Sequence, residues 1–309
     1  MKLVKTSIAL ATCSALSLSA MAADMPSVDI YGRADLAIQS SDEGEGSFSS
    51  IESKASRIGL KGGYKINDDL EVVYKAEFQV DLDGDSDTFW KARNQYVGLK
   101  GGFGEVLLGK NDSMLKQSQG KTDLFSDHDA DIKTLWKGEN RLSDTLTYKS
   151  PKFSGFQLGV TYQAEEEAEG EDAFSVAAFY GDKKLKKSKI FASIAMDSEV
   201  KGYDTTRATV QGKVAGVTLG LMVQNQENVG SGAEMDGVMV SAKYSFGATT
   251  LKGQYQTADH KDGDDRSGIT AGVDYKLAKG TKLYAYYTTF DMDTANDEDY
   301  LAAGIQYKF

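Results

Sequence analysis

The sequence predicts an all-β protein, a sixteen-stranded antiparallel transmembrane β-barrel. Three observations carry that expectation. Apolar and polar residues alternate along many segments of eight to twelve residues. Short connections between these segments take turns with long polar ones. After the N-terminal leader there is no run of about 18 apolar residues, so no helix is expected to span a bilayer.

The leader comes first. Lys2 and Lys5 precede the apolar run Ile8 to Leu18, and Ala20-Met21-Ala22 follows with small-x-small spacing. This is the layout of a secretory signal peptide over residues 1–22, cut after Ala22 or Ala23. Cys13 lies inside it and is the only cysteine. The exported remainder, 23–309, therefore holds no disulfide, no cysteine nucleophile and no thiolate metal site. The chain has 46 acidic against 35 basic residues, a balance that would repel nucleic acid over most of the surface.

Each predicted strand is justified by its period of two. In the first, Val28, Ile30, Ala34, Leu36 and Ile38 share one face and Asp29, Arg33, Asp35 and Gln39 the other. In 69–80 the apolar face is Leu70, Val72, Tyr74, Ala76, Phe78 and Val80, with Glu71, Lys75, Glu77 and Gln79 opposite. In the last, Leu301, Ala303, Ile305, Tyr307 and Phe309 alternate with polar or small residues. The sixteen strands are expected at 28–39, 55–65, 69–80, 91–101, 103–110, 141–150, 155–163, 173–181, 188–197, 205–214, 217–226, 235–246, 248–257, 267–277, 281–291 and 300–309. Tilted strands need about 9–11 residues to cross hydrocarbon, whereas strands of soluble proteins commonly have about 5–6. Two segments alternate poorly: 105–110, and 91–101, where Arg93, Val97 and Leu99 fall on one face.

The long connections are 40–54, 81–90, 111–140, 164–172, 198–204, 227–234, 258–266 and 292–299. The short ones include Asn67-Asp68, Gly102, Ala215-Gly216 and Gly247. An even strand number with turns at one rim and loops at the other is the plan of a membrane barrel. In hydrocarbon every backbone polar group must be paired internally, so the sheet has to close. Sixteen strands leave an interior too wide for side chains to fill. Tyr64, Tyr148, Phe156, Phe246, Tyr275 and Phe309 lie on apolar faces near the short-turn ends, as an interfacial girdle requires.

Several motifs resemble the general-diffusion porin family of Gram-negative outer membranes. They are Val28-Asp29-Ile30-Tyr31-Gly32-Arg33, Ser56-Arg57-Ile58-Gly59-Leu60-Lys61-Gly62, Tyr96-Val97-Gly98-Leu99-Lys100-Gly101 with Phe103-Gly104-Glu105-Val106, and a Tyr-Lys-Phe ending at Phe309. The resemblance implies a homotrimer in the cell outer membrane, exported through the periplasm, that passes small hydrophilic solutes and ions by passive diffusion. A substrate-specific channel on the same fold is the alternative. It also implies that the third long loop, 111–140, folds into the barrel, and that Phe309 is read by the outer-membrane insertase. By the same likeness Arg33, Arg57, Arg93 and Arg141, with Lys91, form the basic wall of a pore constriction opposite loop acids Asp123 and Asp127. Parity agrees for Arg33 and Arg57, which lie on polar faces, and for Arg141 opposite Leu142, Leu146 and Tyr148.

The small outward residues Gly32, Ala34, Gly62, Ala76 and Gly98 suggest close contact between subunits. The acidic loops 164–172 and 258–266 suggest a solvated rim, or divalent bridges to lipopolysaccharide, and a weak preference for cations. Catalysis is not expected. Ser126-Asp127-His128-Asp129 puts a serine, a histidine and acids together, but adjacency in sequence is not triad geometry. The only histidines, His128 and His260, are too few for a metal centre, and no cofactor is expected.

Overall fold

A computed structural model describes residues 26–85, 87–164, 172–293 and 296–309. The leader and most of the acidic loop 164–172 lie outside the described residues. The strands are β1 (Ser27–Asp42), β2 (Ser47–Ser53), β3 (Arg57–Asn67), β4 (Leu70–Val80), β5 (Trp90–Gly101), β6 (Gly104–Asp112), β7 (Arg141–Lys149), β8 (Phe156–Gln163) and β9 (Ala173–Gly181). They continue with β10 (Ile190–Ser198), β11 (Tyr203–Val214), β12 (Val217–Asn228), β13 (Glu234–Phe246), β14 (Thr249–His260), β15 (Asp265–Ala278), β16 (Thr281–Asp291) and β17 (Glu298–Lys308). Between β6 and β7 lie a short helix, α1 (Met114–Ser118), and a 3₁₀ turn, Ile132–Thr134.

All the ladders are antiparallel, and β1 closes the sheet on β17 from Arg33↔Lys308 to Asp42↔Asp299. The other edge of β1 is shared. Residues 27–33 pair with β3 and residues 36–42 with β2. β2 and β3 are thus one barrel strand, kinked at Ala55 with φ 52°, and the barrel has sixteen staves. The expected loop 40–54 is mostly this extra hairpin. Ser47–Ser53 pairs in register with β1, and Gly44 and Gly46 supply positive φ at the tip of the hairpin.

Irregular alternation in 91–110 has a local cause. The β4–β5 ladder slips between Ala76 and Phe78, which pair with Gln95 and Ala92. Arg93 and Asn94 therefore oppose Glu77 alone, a bulge that reverses parity. Arg93 turns inward while Val97 and Leu99 turn outward. The same slip corrects Gly98, expected outside: a Cβ there would meet the Val106 carbonyl and Leu107, on the inner side. A second slip between Gly109 and Asn111 opposes β7 near Asp144, whose φ is 54°. It buries Leu142 with Ala173 and Val200, although alternation placed it on the lipid face.

The outer wall is apolar all round. Ile38, Val97, Leu146, Ile194, Leu221, Val240, Ile269 and Leu301 are 39–64% exposed, a surface stable only in lipid. The six girdle aromatics are exposed as well. Two outward glycines are covered by the chain itself. A Cβ at Gly32 would strike the Phe309 ring, and one at Gly62 the Ser27 carbonyl and the Tyr74 hydroxyl.

Leu221→Arg on this wall should lower the folding free energy by about 2–4 kcal/mol. Gln157→Arg, on the lumen side of β8, should cost less than about 1 kcal/mol. Urea unfolding in lipid vesicles measures both; equal losses would refute the assigned faces.

Candidate functional site

The loop 113–140 lies inside the barrel, held by inward side chains of β9 to β14. The Ser175 hydroxyl accepts from Leu115 N (3.0 Å) and the Ser193 hydroxyl donates to Ser118 O (2.7 Å). Gln211 and Ser241 donate to the carbonyls of Lys121 (2.9 Å) and Thr122 (2.6 Å). Gln254 accepts from Leu124 N (2.9 Å) and donates to Ala130 O (3.1 Å). The Trp136 indole N–H donates to Thr257 O at 2.6 Å. Buried backbone polar groups need such partners, which explains the run of Ser, Thr and Gln on these inner faces.

Apolar anchors complete the docking. Trp136 and Ile132 sit among Met222, Met235, Met239 and Phe290. Phe125 and Ala130 pack with Tyr284 and Tyr286, and Met114 and Leu115 with Ala177 and Ala195. Arg207 of β11 and Glu139 of the loop pair at 2.6 Å, both nearly excluded from water.

Docked on that half, the loop leaves open space against β1 to β7, a cavity of about 930 Å³. Its wall carries Arg33, Arg57, Lys91, Arg93 and Arg141, all five basic residues singled out in the sequence. Asp127 reaches across from the loop. One of its oxygens, Oδ2, lies 3.0 Å from Arg33 NH1 and 2.7 Å from Arg57 NH2. Arg33 also donates to the carbonyls of Lys54 and Ala55 (2.7 and 2.9 Å), so it fastens the β2–β3 kink. Arg93 bonds Glu77 at 2.9 Å and Gln79 at 3.2 Å. Arg141 bonds Asp112 at 2.9 Å and the Asn94 amide oxygen. Lys91 makes no ion pair among the described residues.

Asp127 is held under constraint. Its φ is 74°, a region side chains seldom occupy and which costs of order 1 kcal/mol or more. Its N–H donates to Asp131 Oδ2 at 2.8 Å. Burial alone would raise its pKa, but Arg57, then Arg33 and Arg93, hold the carboxyl well below the usual range. It stays charged at every physiological pH.

Asp123 departs from expectation. It is 7% exposed and does not line the cavity. Its oxygens accept from Phe125 N (2.8 Å) and Ile132 N (3.1 Å), stapling the loop to itself. Burial and then Asp131 push its carboxyl up. Asp129, Asp131 and Glu139 of the loop line the cavity as well as Asp127, and Asp129 lies 3.0 Å from Lys54 and 2.6 Å from the Tyr286 hydroxyl. Lys54 and Glu77 also line the cavity and were not singled out; Glu77 was legible only as an inward acid on β4. His128 is a packing residue, its ring 4.9 Å and 5.1 Å from those of Tyr284 and Tyr286.

Comparison with known proteins agrees with the barrel fold. A sequence profile described as Gram-negative porin matches residues 6–297. Major outer membrane protein P.IB of Neisseria gonorrhoeae is 25% identical over 327 residues, covering 90% of this chain and 91% of that protein. Among solved structures, OmpF of Salmonella typhi in complex with daunomycin superposes with TM-score 0.77 at 18% identity, over 93% of this chain and 98% of the other. The anion-selective porin of Comamonas acidovorans gives 0.75 at 19% identity, over 92% and 100%.

His128 makes loop docking sensitive to acid. Burial, then Lys252 and Lys282, push its pKa down to about 3. A released loop would protonate it near pH 6.5, the docked loop only below about 3, so docking weakens as pH falls between those values. At pH 4 the loss is about 3 kcal/mol. Asp123, with its raised pKa, acts oppositely, so the comparison is with His128→Phe. Hydrogen exchange across 121–136 should show wild-type protection falling relative to that variant from pH 7 to pH 4; superimposable profiles would remove the effect.

Proposed function

This chain belongs to the Gram-negative porin family and forms an outer-membrane channel for passive diffusion; from that premise we propose that the narrow part of its pore is the space left between the loop and the basic wall, beside the contact of Asp127 with Arg33 and Arg57. Arg33, Arg57, Arg93, Arg141 and Lys91 form one side, Asp127 and Asp129 the other. Opposed rows of charge create a transverse field that orients dipolar solutes and disfavours apolar ones, and the width of the gap limits size. A solute charge passing about 8 Å from a wall charge in water gains only roughly 0.5 kcal/mol from it, so no single wall charge holds a solute tightly and conduction persists.

The observation that carries ion preference is the charge of the lining. Ten basic side chains and seven acidic ones face the cavity, although the whole chain is acidic. Fields are strongest where the passage is narrow and its walls are of low dielectric, so the lining outweighs the acidic rim. We read the channel as anion-preferring, against the weak cation preference that the outer loops suggested.

Assembly follows the same reading. A homotrimer fits the long apolar wall, and one related structure, OmpT of Vibrio cholerae, is described as a trimer form. Removal of 1–22, recognition of Phe309 by the insertase, and lipopolysaccharide around the acidic rim complete the proposal. Phe309 has a structural role beside that one: its N–H donates to Gly32 O (3.2 Å) and its carbonyl accepts from Gly32 N (3.1 Å).

Reversal potential in a potassium chloride gradient across a planar bilayer tests the channel. The wild type should favour chloride. Asp127→Asn, which frees Arg33 and Arg57, should favour it further, and Lys91→Glu with Arg57→Gln should shift the potential toward potassium. A potassium-selective wild type would defeat the assignment. Saturable block by one sugar or peptide, absent with others, would favour a substrate-specific channel instead.

Protein extracted from membranes and run unheated should migrate as a trimer beginning at Ala23 or Asp24. Deleting Phe309 should cut the folded fraction several-fold. Monomers at all detergent concentrations would rule out the oligomer.

A further inference from the structure

Between the constriction and the short-turn rim the lumen carries a second basic feature. Lys213↔Thr218, Thr218↔Lys243 and Lys243↔Lys252 are consecutive register pairs on β11, β12, β13 and β14. The four residues form one row across the inner wall. Their inward direction is set by Gln211, Ser241 and Gln254, two residues away on the same strands, which hold the loop from inside. Lys213 and Lys243 lie on the short-turn side of those contacts, next to Ala215-Gly216 and Gly247. Lys121, whose carbonyl Gln211 binds, brings a further ammonium to the edge of the constriction cavity.

The row is short of negative charge. Lys252 and Lys282 share Asp274, at 3.1 and 3.0 Å. Lys213 and Lys243 make no ion pair among the described residues. Strands are about 4.8 Å apart, so Lys243 and Lys252 are directly opposed like charges, an arrangement that destabilises a sheet unless something offsets it. Lysine is a strongly hydrated point charge that suits phosphate from several directions. The Thr218 hydroxyl adds a neutral donor between Lys213 and Lys243.

We propose that Lys213, Thr218, Lys243 and Lys252, with Lys121, form a binding site for polyvalent phosphoryl anions on the short-turn side of the constriction. The inference rests on the channel reading and deepens it by naming a class of solute. A monovalent anion engages one ammonium at a time. A polyvalent one bridges several and lingers, so it should interrupt the flow of chloride.

The test is block of chloride current by inorganic pyrophosphate, in bilayers with oriented channels at about 0.1 M salt, where the Debye length is about 10 Å. Pyrophosphate added on the short-turn side should half-block at a concentration roughly tenfold lower than from the long-loop side. Lys213→Gln with Lys243→Gln should raise the short-turn value about tenfold and abolish the asymmetry, while Lys243→Arg should retain it. Block that is symmetric in the wild type overturns the proposal. So does block that survives the double variant but is lost in Arg33→Gln with Arg57→Gln, which would put the anion at the constriction. Chloride conductance without pyrophosphate tests the channel reading separately. Should the double variant not insert, the side-dependence of the wild type decides.

Discussion

Hydrocarbon offers no hydrogen bonds, and this one constraint governs the molecule. A sheet with an open edge would leave a row of N–H and C=O groups unpaired in lipid, each costing several kcal/mol. The ladder therefore runs unbroken around the wall and shuts where β1 meets β17. Phe309 extends the seam by one residue, exchanging two backbone bonds with Gly32 and laying its ring where a larger side chain would not fit. Once the sheet is closed, its period of two does the rest: one set of side chains faces lipid and the other an interior that sixteen staves make too wide to fill.

That interior is divided unequally. The loop after β6 carries its own apolar residues, Phe125, Ile132 and Trp136, and they need cover. They find it on β12 to β17, among methionines and aromatics that alternation had turned inward. The loop's backbone in turn finds partners in the serines and glutamines of β9 to β14. The inner side of β1 to β7 meets the loop chiefly through Asp127 and Asp129, and there Arg33, Arg57, Arg93 and Arg141 collect. The transverse asymmetry of charge is thus a consequence of where the loop rests.

Asp127 joins the two halves. Two arginines on adjacent strands converge on one of its oxygens, and Asp131 holds the backbone that presents it. Pinning the loop and shaping the field are the same contacts. Arg33 has a second carboxylate partner in Asp35 at 3.6 Å, whereas Arg57 relies on Asp127.

The sequence by itself determined the wall. Alternation over eight to twelve residues needs no partner to be recognised, because which face is apolar is a local property of each strand. It placed fifteen barrel strands within a few residues of the structure, and the second as well except for the β2 extension. Parity pointed to Arg33, Arg57 and Arg141, whereas Arg93, on a face shared with Val97 and Leu99, was singled out by family likeness alone. Tertiary structure alone decided whatever depends on pairing. Bulges opposite Glu77 and Lys110 reverse parity, so Gly98 and Leu142 point against the simple pattern. The loop's residues have no periodicity to orient them; Asp123 turned to the N–H groups of Phe125 and Ile132 within the folded loop, and Asp129 to Lys54 and Tyr286 on the barrel wall. Local alternation is written along one strand, but register and docking belong to two surfaces at once.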